Sequence, residues 1–285
     1  MTMKVGVFVN SRKPNVVEAF GRVQMAFEKR GWEVVLDQEG GEEIGIPGVS
    51  EFWKGADLVI SLGGDGTFLE TIHRMGGCPA PVAGVNIGHL GFLTACQDEE
   101  VEELAEVATQ GEHSVIERSM LSVQMREEGG GEHEFICLNE VVLMRGETGR
   151  LVSLEAKVDG ELLNEYRADG LIVATPTGST AYSLAAGGPL VGPDSGVMLM
   201  TPICPHTLSG RSLVVADTSV VALSPCANHP EPILFTVDGR DILRVAADSE
   251  VIVKKAPEPL RVVRMPGHSF YETLRKKLSW SGGGL

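Results

Sequence analysis

The first 112 residues alternate between apolar runs that are typical of buried strands and segments whose apolar side chains recur at helical spacing. Nearly continuous apolar strands are typical of parallel sheets that are covered on both faces. Strands that alternate with helices predict an open, mostly parallel sheet. We therefore expect an α/β domain at residues 1–112. The predicted strands are residues 3–9, 33–36, 57–62 and 81–86, and the predicted helices are residues 16–27, 67–75 and 99–109.

From residue 113 to residue 266 the pattern changes to one strand after another. Two pairs, Asp159-Gly160 and Asp238-Gly239, are typical of hairpin turns. One helix is predicted at residues 179–186, where Gly187-Gly188 ends it. This pattern predicts a β-rich, sandwich-like second domain at residues 113–266.

The end of the chain returns to a helical pattern. Phe270, Leu274 and Leu278 lie on one face of a helix predicted at residues 269–278. A lone terminal helix with one apolar face usually packs against a neighbouring domain. We therefore expect this helix to pack back on the first domain, and we assign residues 267–285 to it.

The overall composition excludes several classes of function. The net charge of −15 argues against a protein that binds nucleic acid without sequence preference, because such a protein needs a basic face. No run of 18 or more apolar residues is present, so no membrane span is predicted. The five cysteines are dispersed without CxxC spacing, which indicates reduced thiols in a cytoplasmic protein rather than zinc ligands.

A glycine-rich segment, Gly63-Gly64-Asp65-Gly66-Thr67, directly follows the strand predicted at residues 57–62. Ligands of open α/β sheets bind at the carboxyl ends of strands, and glycines with free helical N–H groups suit a phosphate. A carboxylate beside a phosphate is useful where it accepts a proton or holds a metal, as in phosphoryl transfer. The alternative is a tight turn with Asp65 as the N-cap. The segment lacks the Gly-Lys-Ser/Thr ending of a Walker A loop.

A second loop, Gly88-His89-Leu90-Gly91-Phe92, follows the strand predicted at residues 81–86 and should lie beside the first. Phe92 either stacks on a ring of a bound nucleotide or packs in the core. A lone histidine such as His89 is more often structural than catalytic.

A polar pair, Asn139-Glu140, interrupts the apolar run at residues 134–145. Unpaired buried polar groups are costly, so the pair needs partners. Either it binds backbone at a strand end, or Glu140 binds ribose hydroxyls while Asn139 binds a base edge. The spacing favours neither interpretation.

A turn rich in hydroxyl groups precedes the helix predicted in the second domain. Its helix N-terminus and Tyr182 suit an uncharged, hydrogen-bonding group such as an adenine or a carboxamide. The alternative is a well-capped helix with Tyr182 in the core. Capping does not explain all four hydroxyl residues, which are Thr175, Thr177, Ser179 and Thr180.

Two further segments are less specific. Pro202 and Pro205 make the loop at residues 201–211 rigid, so that it presents side chains rather than flexing. Asp238 is best explained locally as the first residue of a hairpin turn.

Taken together and in this order, these motifs resemble those of the NAD kinase family over nearly the whole chain. Gly-Gly-Asp-Gly-Thr alone is shared with lipid kinases of the diacylglycerol and sphingosine type, and phosphofructokinases carry a close variant. The Asn-Glu pair, followed by Thr-Pro-Thr-Gly-Ser-Thr-Ala-Tyr at residues 175–182, resolves this ambiguity. The other matching segments are residues 88–92, 205–209, 237–239 and the closing helix at 270–278.

The resemblance implies a role for each matching residue. Asp65 would be the catalytic carboxylate that activates the 2′-hydroxyl of the adenosine ribose. Family members form dimers or tetramers, in which residues such as Cys204 and His206 would reach a neighbour's site. The implied nucleotide contacts are Gly63, Gly64 and Gly66 for phosphate, Asn139, Glu140, Thr180, Ala181, Phe92 and Tyr182 for adenosine, Arg167 and Asp169 for the second half of the dinucleotide, Thr177 for the nucleotide in general, and Asp238 beside the site.

The resemblance also implies the reaction. The γ-phosphate of ATP, or a phosphate of polyphosphate, would pass to NAD and give NADP, with Mg²⁺ carried by ATP rather than by dedicated protein ligands. We expect the site to be a cleft between the two domains, with Asp65 on one wall and the adenosine pocket on the other.

Three other functions compete with this one. They are a lipid kinase of the same superfamily, an NAD-binding regulator without catalysis, and a dehydrogenase. The dehydrogenase is disfavoured because Asn10-Ser11-Arg12-Lys13 stands after the first strand in place of a GxGxxG motif.

Overall fold

The computed structural model describes residues 2–88, 91–126, 131–146, 149–226 and 233–280, without the side chains of 241 and 242. His89, the glycines at 129 and 130 and those at 282–284 lie outside these residues. The described chain divides into two compact units. The first unit runs up to Glu117 and resumes at Arg261, and the second unit is Arg118–Leu260.

The chain up to residue 118 follows the predicted alternation of strands and helices. Each strand and helix predicted there is present, with ends shifted by one or two residues. The elements are β1 (Lys4–Val9), α1 (Val16–Glu28), β2 (Glu33–Leu36), α2 (Gln38–Ile44), β3 (Leu58–Gly63), α3 (Asp65–Met75), β4 (Val82–Asn86), β5 (Cys96–Gln97), α4 (Val101–Gln110) and β6 (Ser114–Arg118).

The remainder of the chain is mostly strand until its terminal helix. The elements are β7 (Leu121–Arg126), β8 (Glu132–Cys137), β9 (Glu140–Arg145), β10 (Val152–Val158), β11 (Glu161–Ala168), β12 (Gly170–Ala174), α5 (Tyr182–Ala185), β13 (Val197–Ile203), β14 (Leu213–Ala216), β15 (Val221–Pro225), β16 (Ile233–Val237), β17 (Arg240–Val245), β18 (Glu250–Lys255), β19 (Leu260–Arg264) and α6 (Phe270–Lys277).

The first unit is built on one sheet with the strand order β2-β1-β3-β4-β19-β6, and β5 also pairs with β4. The β1, β3 and β4 pairings are all parallel, as the apolar strands predict. Because parallel strands end at one edge, the loops that follow β1, β3 and β4 meet there. The residues from Arg261 onwards belong to this unit, so the prediction that the terminal helix packs on the first domain is confirmed. None of the described helices is long and apolar enough to span a membrane.

The second unit consists of two antiparallel sheets of six strands each. Their strand orders are β11-β10-β15-β18-β7-β8 and β14-β13-β12-β9-β16-β17. Leu154 of the first sheet and Phe235 of the second belong to one buried core. The β-rich, sandwich-like architecture is therefore confirmed.

Both predicted Asp-Gly hairpin turns are present. Asp159 and Gly160 have φ values of 53° and 83°, and Asp238 and Gly239 have φ values of 48° and 71°. Positive φ at both central residues is the geometry of a type I′ turn, which follows the right-handed twist of the strands.

The helix predicted at residues 179–186 is wrong as a continuous helix. The chain forms a 3₁₀ turn at Thr177–Thr180, breaks at Ala181 and resumes as α5. Hydroxyl groups bind nearby backbone and so compete with helical hydrogen bonds. Thr180 Oγ1 donates to the Thr177 carbonyl at 3.1 Å, and Ser179 Oγ donates to the Val191 carbonyl at 3.2 Å.

One helix, α2, has no counterpart in the sequence prediction. It begins after Asp37, whose side chain accepts the Gly40 N–H at 2.8 Å and so acts as the N-cap. The helix has only seven residues, and two of them, Gly40 and Gly41, have low helix propensity. This composition hides the helix from a pattern-based prediction.

The β10–β11 hairpin offers a test of where the second unit is stabilised. Leu154 is fully buried, and Leu162 is 58% exposed. Leu154→Ala should lower the free energy of unfolding by about 2–5 kcal/mol, because it leaves a cavity in the shared core. Leu162→Ala is the matched control and should change it by less than about 0.5 kcal/mol. Urea denaturation measures both, and equal effects would contradict this assignment of the core.

Candidate active site

The glycine-rich segment forms the junction between β3 and α3. Gly63 ends the strand, Gly64 is the N-cap residue and Asp65 is the first residue of the helix. Asp65 is therefore not the N-cap, and the local alternative for its carboxylate is wrong. The side chain that binds the N-cap residue is that of Thr67, whose Oγ1 accepts the Gly64 N–H at 3.3 Å.

The Asp65 carboxylate binds the loop that follows β4. Its two oxygens accept the N–H groups of Phe92, at 2.9 Å, and Leu93, at 3.0 Å. A Cβ on Gly91 would collide with the same carboxylate, so this glycine is needed for the close approach. The structure therefore brings together the two predicted loops, and it fixes the position of Asp65.

The three glycines of the first loop have different surroundings. A Cβ on Gly63 would collide with the Thr67 side chain, so Gly63 serves packing. A Cβ on Gly66 would meet no described atom within 4 Å. A Cβ on Gly64 would lie 3.6 Å from Asn86 Oδ1 and 3.9 Å from Lys13 Nζ. The backbone at Gly64 and Gly66 is thus the open part of the loop.

A cleft of about 240 Å³ borders Gly66 and Thr67. Its walls carry the carboxyl groups of Asp37, Glu39, Glu43 and Glu70, and one arginine, Arg74. Arg74 binds Glu39 and Glu70, and Ser11 binds Glu43. Burial raises the pKa of Asp37, while the N–H groups of Gly40 and Val9 act in the opposite direction. Four carboxyl groups against one guanidinium make this cleft unfavourable for phosphate.

Phe92 is half-buried, so the structure does not place it in the core as the alternative required. The ammonium of Lys277, on α6, lies 6.0 Å from the centroid of its ring. This contact is within the range of a cation–π interaction. Stacking of Phe92 on a nucleotide ring stays a prediction.

In the second unit, Asp238 organises the chain between β8 and β9. Its carboxylate accepts the N–H groups of Leu138, Asn139 and Glu140 at 2.7–3.1 Å. The Cys137 thiol also donates to it, at 3.1 Å. Asp238 is therefore both a hairpin-turn residue and the group that fixes the backbone of the Asn139-Glu140 pair.

Glu140 begins β9 and is only 5% exposed. Burial, and next the charge of Asp238, raise the pKa of Glu140 to about 8, although the Tyr182 N–H acts in the opposite direction. Its Oε2 atom has no hydrogen-bond partner among the described residues. A buried polar atom without a partner is uncommon in a native protein, so Oε2 is available to a further hydrogen-bonding group.

The hydroxyl-rich turn at residues 175–182 lies against this pair. The Thr175 N–H donates to the Asn139 carbonyl at 2.8 Å, and a Cβ on Gly178 would collide with the Asn139 backbone. The Tyr182 N–H points at Glu140. The structure therefore brings together the predicted residues Asn139, Glu140, Thr177, Thr180, Ala181, Tyr182 and Asp238.

Three of the four hydroxyl groups in this turn have structural partners. Thr175 Oγ1 donates to the Leu138 carbonyl at 2.6 Å, and Ser179 and Thr180 bind backbone as described above. Thr177 Oγ1 is buried without a partner among the described residues. The hydroxyl that capping leaves unexplained is therefore that of Thr177.

Four other predicted residues lie at the opposite end of β12. Asp169 binds Arg145 through a 2.7 Å ion pair, and the His206 N–H donates to the Arg167 carbonyl at 2.9 Å. Cys204 is exposed with a φ of 44°. Five residues of strand, at about 3.3 Å each, put this group roughly 17 Å from the Glu140 end.

Sequence reasoning missed two residues that position the site. Arg145 lies beside Asp169 only because β9 and β12 pair. No local pattern marks it. Gly91 belongs to the recognised second loop, but its contact with Asp65 depends on the neighbouring strands β3 and β4.

A pair of glycine variants tests the anchoring of Asp65. Gly91→Ala should lower the free energy of unfolding by about 1–3 kcal/mol, because the new Cβ displaces a carboxylate held by two N–H groups. Gly66→Ala should be neutral or stabilising by up to about 1 kcal/mol, since alanine favours the helix and meets open space. Urea denaturation compares the two. A Gly91→Ala protein as stable as Gly66→Ala would refute the close approach.

The pKa of Glu140 makes stability depend on pH. Because the folded value is about 8 and the ordinary value is 4.5, the folded protein binds more protons than the unfolded chain between these limits. Stability should therefore fall as pH rises from about 5 to 8. Glu140→Gln should remove this pH dependence. At pH 8 the free energy of unfolding of the variant should therefore exceed that of the wild type by a few kcal/mol.

Urea denaturation at pH 5, 6.5 and 8 measures this dependence. Glu161→Gln, which removes an exposed carboxylate of the same unit, is the control for loss of one charge. Parallel pH profiles of the wild type and Glu140→Gln would show that Glu140 is not the titrating group.

Both units match known domain families. Residues 5–113 match the ATP-NAD kinase N-terminal domain, and residues 138–265 match the ATP-NAD kinase C-terminal domain. The NAD kinase of Symbiobacterium thermophilum is 38% identical over 280 residues, which cover 97% of this chain and 99% of that protein. The NAD kinase of Prosthecochloris aestuarii is 38% identical over 281 residues, which cover 98% of this chain and 97% of that protein.

Two solved structures share the fold. Yeast NADH kinase complexed with NADH has a TM-score of 0.90 at 24% identity, and the match covers 99% of this chain and 89% of that one. An NAD kinase from Archaeoglobus fulgidus in complex with ATP has a TM-score of 0.76 at 24% identity, and the match covers 98% of this chain and 100% of that one. With both units matched by NAD kinase domains, and with relatives 38% identical over nearly its full length, the chain belongs to the NAD kinase family.

Proposed function

We propose that this chain transfers the γ-phosphate of ATP to the 2′-hydroxyl of the adenosine ribose of NAD, giving NADP and ADP. The observation that carries this proposal is the carboxylate of Asp65, which two N–H groups fix at the end of β3 beside an open glycine backbone. A fixed carboxylate at a phosphate-binding loop suits removal of a proton from an alcohol during phosphoryl transfer.

The chemistry assigned to Asp65 is proton acceptance. As the ribose oxygen forms its bond to the γ-phosphorus, its proton passes to the Asp65 carboxylate. The bond between the γ-phosphorus and the bridging oxygen breaks, and ADP leaves with that electron pair. Such a transition state needs alignment and charge neutralisation more than covalent help. The anchored position of Asp65 supplies part of that alignment.

The second unit supplies groups that suit the adenosine. Glu140 Oε2 and Thr177 Oγ1 are buried polar atoms without partners among the described residues. A ribose, with adjacent hydroxyl groups that both donate and accept, would satisfy them. With a pKa of about 8, Glu140 is mostly protonated at neutral pH in the free protein and can then donate as well as accept. Asn139, Thr180, Ala181 and Tyr182 complete the proposed pocket.

The donor set fits a magnesium ion carried by the nucleotide. The described residues contain no group of three or more side chains that could hold a metal by themselves. Mg²⁺ bound to nucleotides is commonly held by one or two carboxylates and the phosphates. Asp65 is the carboxylate that would hold it here, and the ion would neutralise charge on the phosphates.

The competing functions receive less support. The domain matches in both units are to NAD kinases, which does not favour a lipid kinase. An NAD-binding regulator would not require a fixed carboxylate beside an open phosphate loop. Either ATP or polyphosphate remains compatible with the proposed reaction.

The group formed by Arg167, Asp169, Cys204 and His206 supports a further part of the proposal. It lies roughly 17 Å from the Glu140 end of the same strand. We propose that this group contacts the second half of a dinucleotide, including one bound by a neighbouring copy in a homodimer or homotetramer. We also propose a cytoplasmic location, which the five free cysteines support.

Product formation and one substitution test the proposal. The purified protein with NAD, MgATP or Mg-polyphosphate should form NADP, as measured by chromatography. Asp65→Asn should lower kcat by about 10²–10⁴-fold while the KM for NAD changes by less than about threefold, because the proton acceptor is lost. Glu106→Gln, an exposed charge on α4, is the control and should keep wild-type turnover.

Two outcomes would contradict this assignment. Near-normal turnover of Asp65→Asn would remove Asp65 as the base, and absence of NADP with every donor would remove the reaction. Since an amide cannot accept both N–H groups, thermal unfolding of Asp65→Asn should be measured in parallel. The loss of kcat must persist at a temperature where the variant is folded.

A further inference from the structure

The segment after β1, Asn10-Ser11-Arg12-Lys13, is tied to the glycine-rich loop. The Asn10 side chain donates from Nδ2 to Thr67 Oγ1 at 3.2 Å, and the same hydroxyl oxygen accepts the Gly64 N–H. The Asn10 N–H donates to the Leu62 carbonyl at 3.2 Å. Thr67 thus joins the segment after β1 to the glycine-rich loop. The position of this segment therefore depends on that of the loop.

The backbone around Lys13 is also fixed. The Lys13 N–H donates to the Asn10 carbonyl at 3.0 Å, which closes a tight turn, and the Arg12 N–H donates to Asn10 Oδ1 at 3.1 Å. Pro14 follows directly and restricts Lys13 to extended conformations. The turn therefore presents a lysine from a rigid position.

The Lys13 side chain reaches Gly64. Its ammonium lies 3.9 Å from the place where a Cβ on Gly64 would stand, and Lys13 is only half-buried. Among the described residues, no carboxylate forms an ion pair with it. A lysine that is fixed beside an open glycine backbone, with no acidic partner, provides a site for an anion.

The charges around the loop indicate where that anion lies. On the Gly66 side, the cleft carries four carboxyl groups and one guanidinium. Within 4 Å of a Cβ on Gly64, apart from its chain neighbours Gly63 and Asp65, the described atoms are Lys13 Nζ and the neutral Asn86 Oδ1. The chain has a net charge of −15, so it repels an incoming polyphosphate overall. The Lys13 ammonium attracts the polyphosphate locally, on the Gly64 side.

We propose that Lys13 binds the terminal phosphates of the phosphoryl donor against the Gly64 backbone. This inference deepens the proposed function and rests on it. Lys13 and the glycine-rich loop belong to the first unit, whereas the residues assigned to NAD, apart from Phe92, belong to the second, so we assign the lysine to the donor. When the β–γ bridging bond breaks, negative charge grows on the departing ADP. The Lys13 ammonium neutralises part of it.

Three variants in the full chain test this role. Lys13→Met removes the ammonium and keeps an unbranched apolar stem. Arg12→Met removes a neighbouring exposed cation from the same turn and is the matched control for net charge. Lys13→Arg keeps the charge. Thermal unfolding of each variant shows whether it is folded at the assay temperature.

Steady-state kinetics with MgATP and NAD give the first measurement. Lys13→Met should lower kcat/KM for ATP by at least about tenfold and change the KM for NAD by less than about twofold. Arg12→Met should stay within about twofold of wild type, and Lys13→Arg within about threefold. Equal effects of Lys13→Met and Arg12→Met, or a rise confined to the KM for NAD, would overturn the proposal.

Calorimetric titration with tripolyphosphate, in the absence of NAD, gives a second measurement that does not need turnover. Wild type should bind it at least about tenfold more tightly than Lys13→Met, while Arg12→Met should match wild type. If wild type formed no NADP yet showed this difference, the proposed function would fall and the lysine site would stand. If wild type formed NADP and Lys13→Met matched it in both measurements, the lysine inference alone would fall.

Discussion

The candidate site of the first unit depends on two hydrogen bonds that join the carboxylate of Asp65 to the N–H groups of Phe92 and Leu93. They connect the loops after two adjacent parallel strands, β3 and β4, across the edge where both strands end. Gly91 allows the chain to close around this contact, because a Cβ there would collide with the carboxylate. A carboxylate held in this way keeps its position without searching among rotamers, which suits a group that must meet a reacting hydroxyl.

The second unit uses a carboxylate for a different purpose. Asp238 accepts three N–H groups from the segment between β8 and β9, and this segment carries Asn139 and Glu140. The negative charge of Asp238 also raises the pKa of Glu140, after the larger effect of burial. One side chain therefore fixes the geometry of the Asn139-Glu140 pair and also contributes to the raised pKa of its acid.

The fold was largely predictable because its signals are local. Apolar runs, helical spacing and Asp-Gly turns repeat within a few residues, and they correctly predict the parallel sheet and the hairpins. The break at Ala181 was not predictable, since it depends on hydroxyl groups that bind the backbone of Thr177 and of distant Val191. The helix α2 was hidden by its two glycines.

The sequence predicts a set of candidate site residues but not their arrangement. Arg167 and Asp169 closely precede the turn at residues 175–182 in the sequence, yet β12 lies between them and separates the two by its full length. Asp238 approaches Asn139 from 99 residues along the chain. Local evidence identified it only as a turn residue, because its hydrogen bonds depend on the pairing of β9 with β16.

The turn that carries Asp238 also restricts what evolution can place there. With a φ of 48°, the position favours glycine, asparagine and aspartate among the twenty residues. Accepting three N–H groups and a thiol requires a side chain without a donor of its own, which leaves aspartate and glutamate. Aspartate alone satisfies both conditions, so no single substitution offers a neutral path away from it.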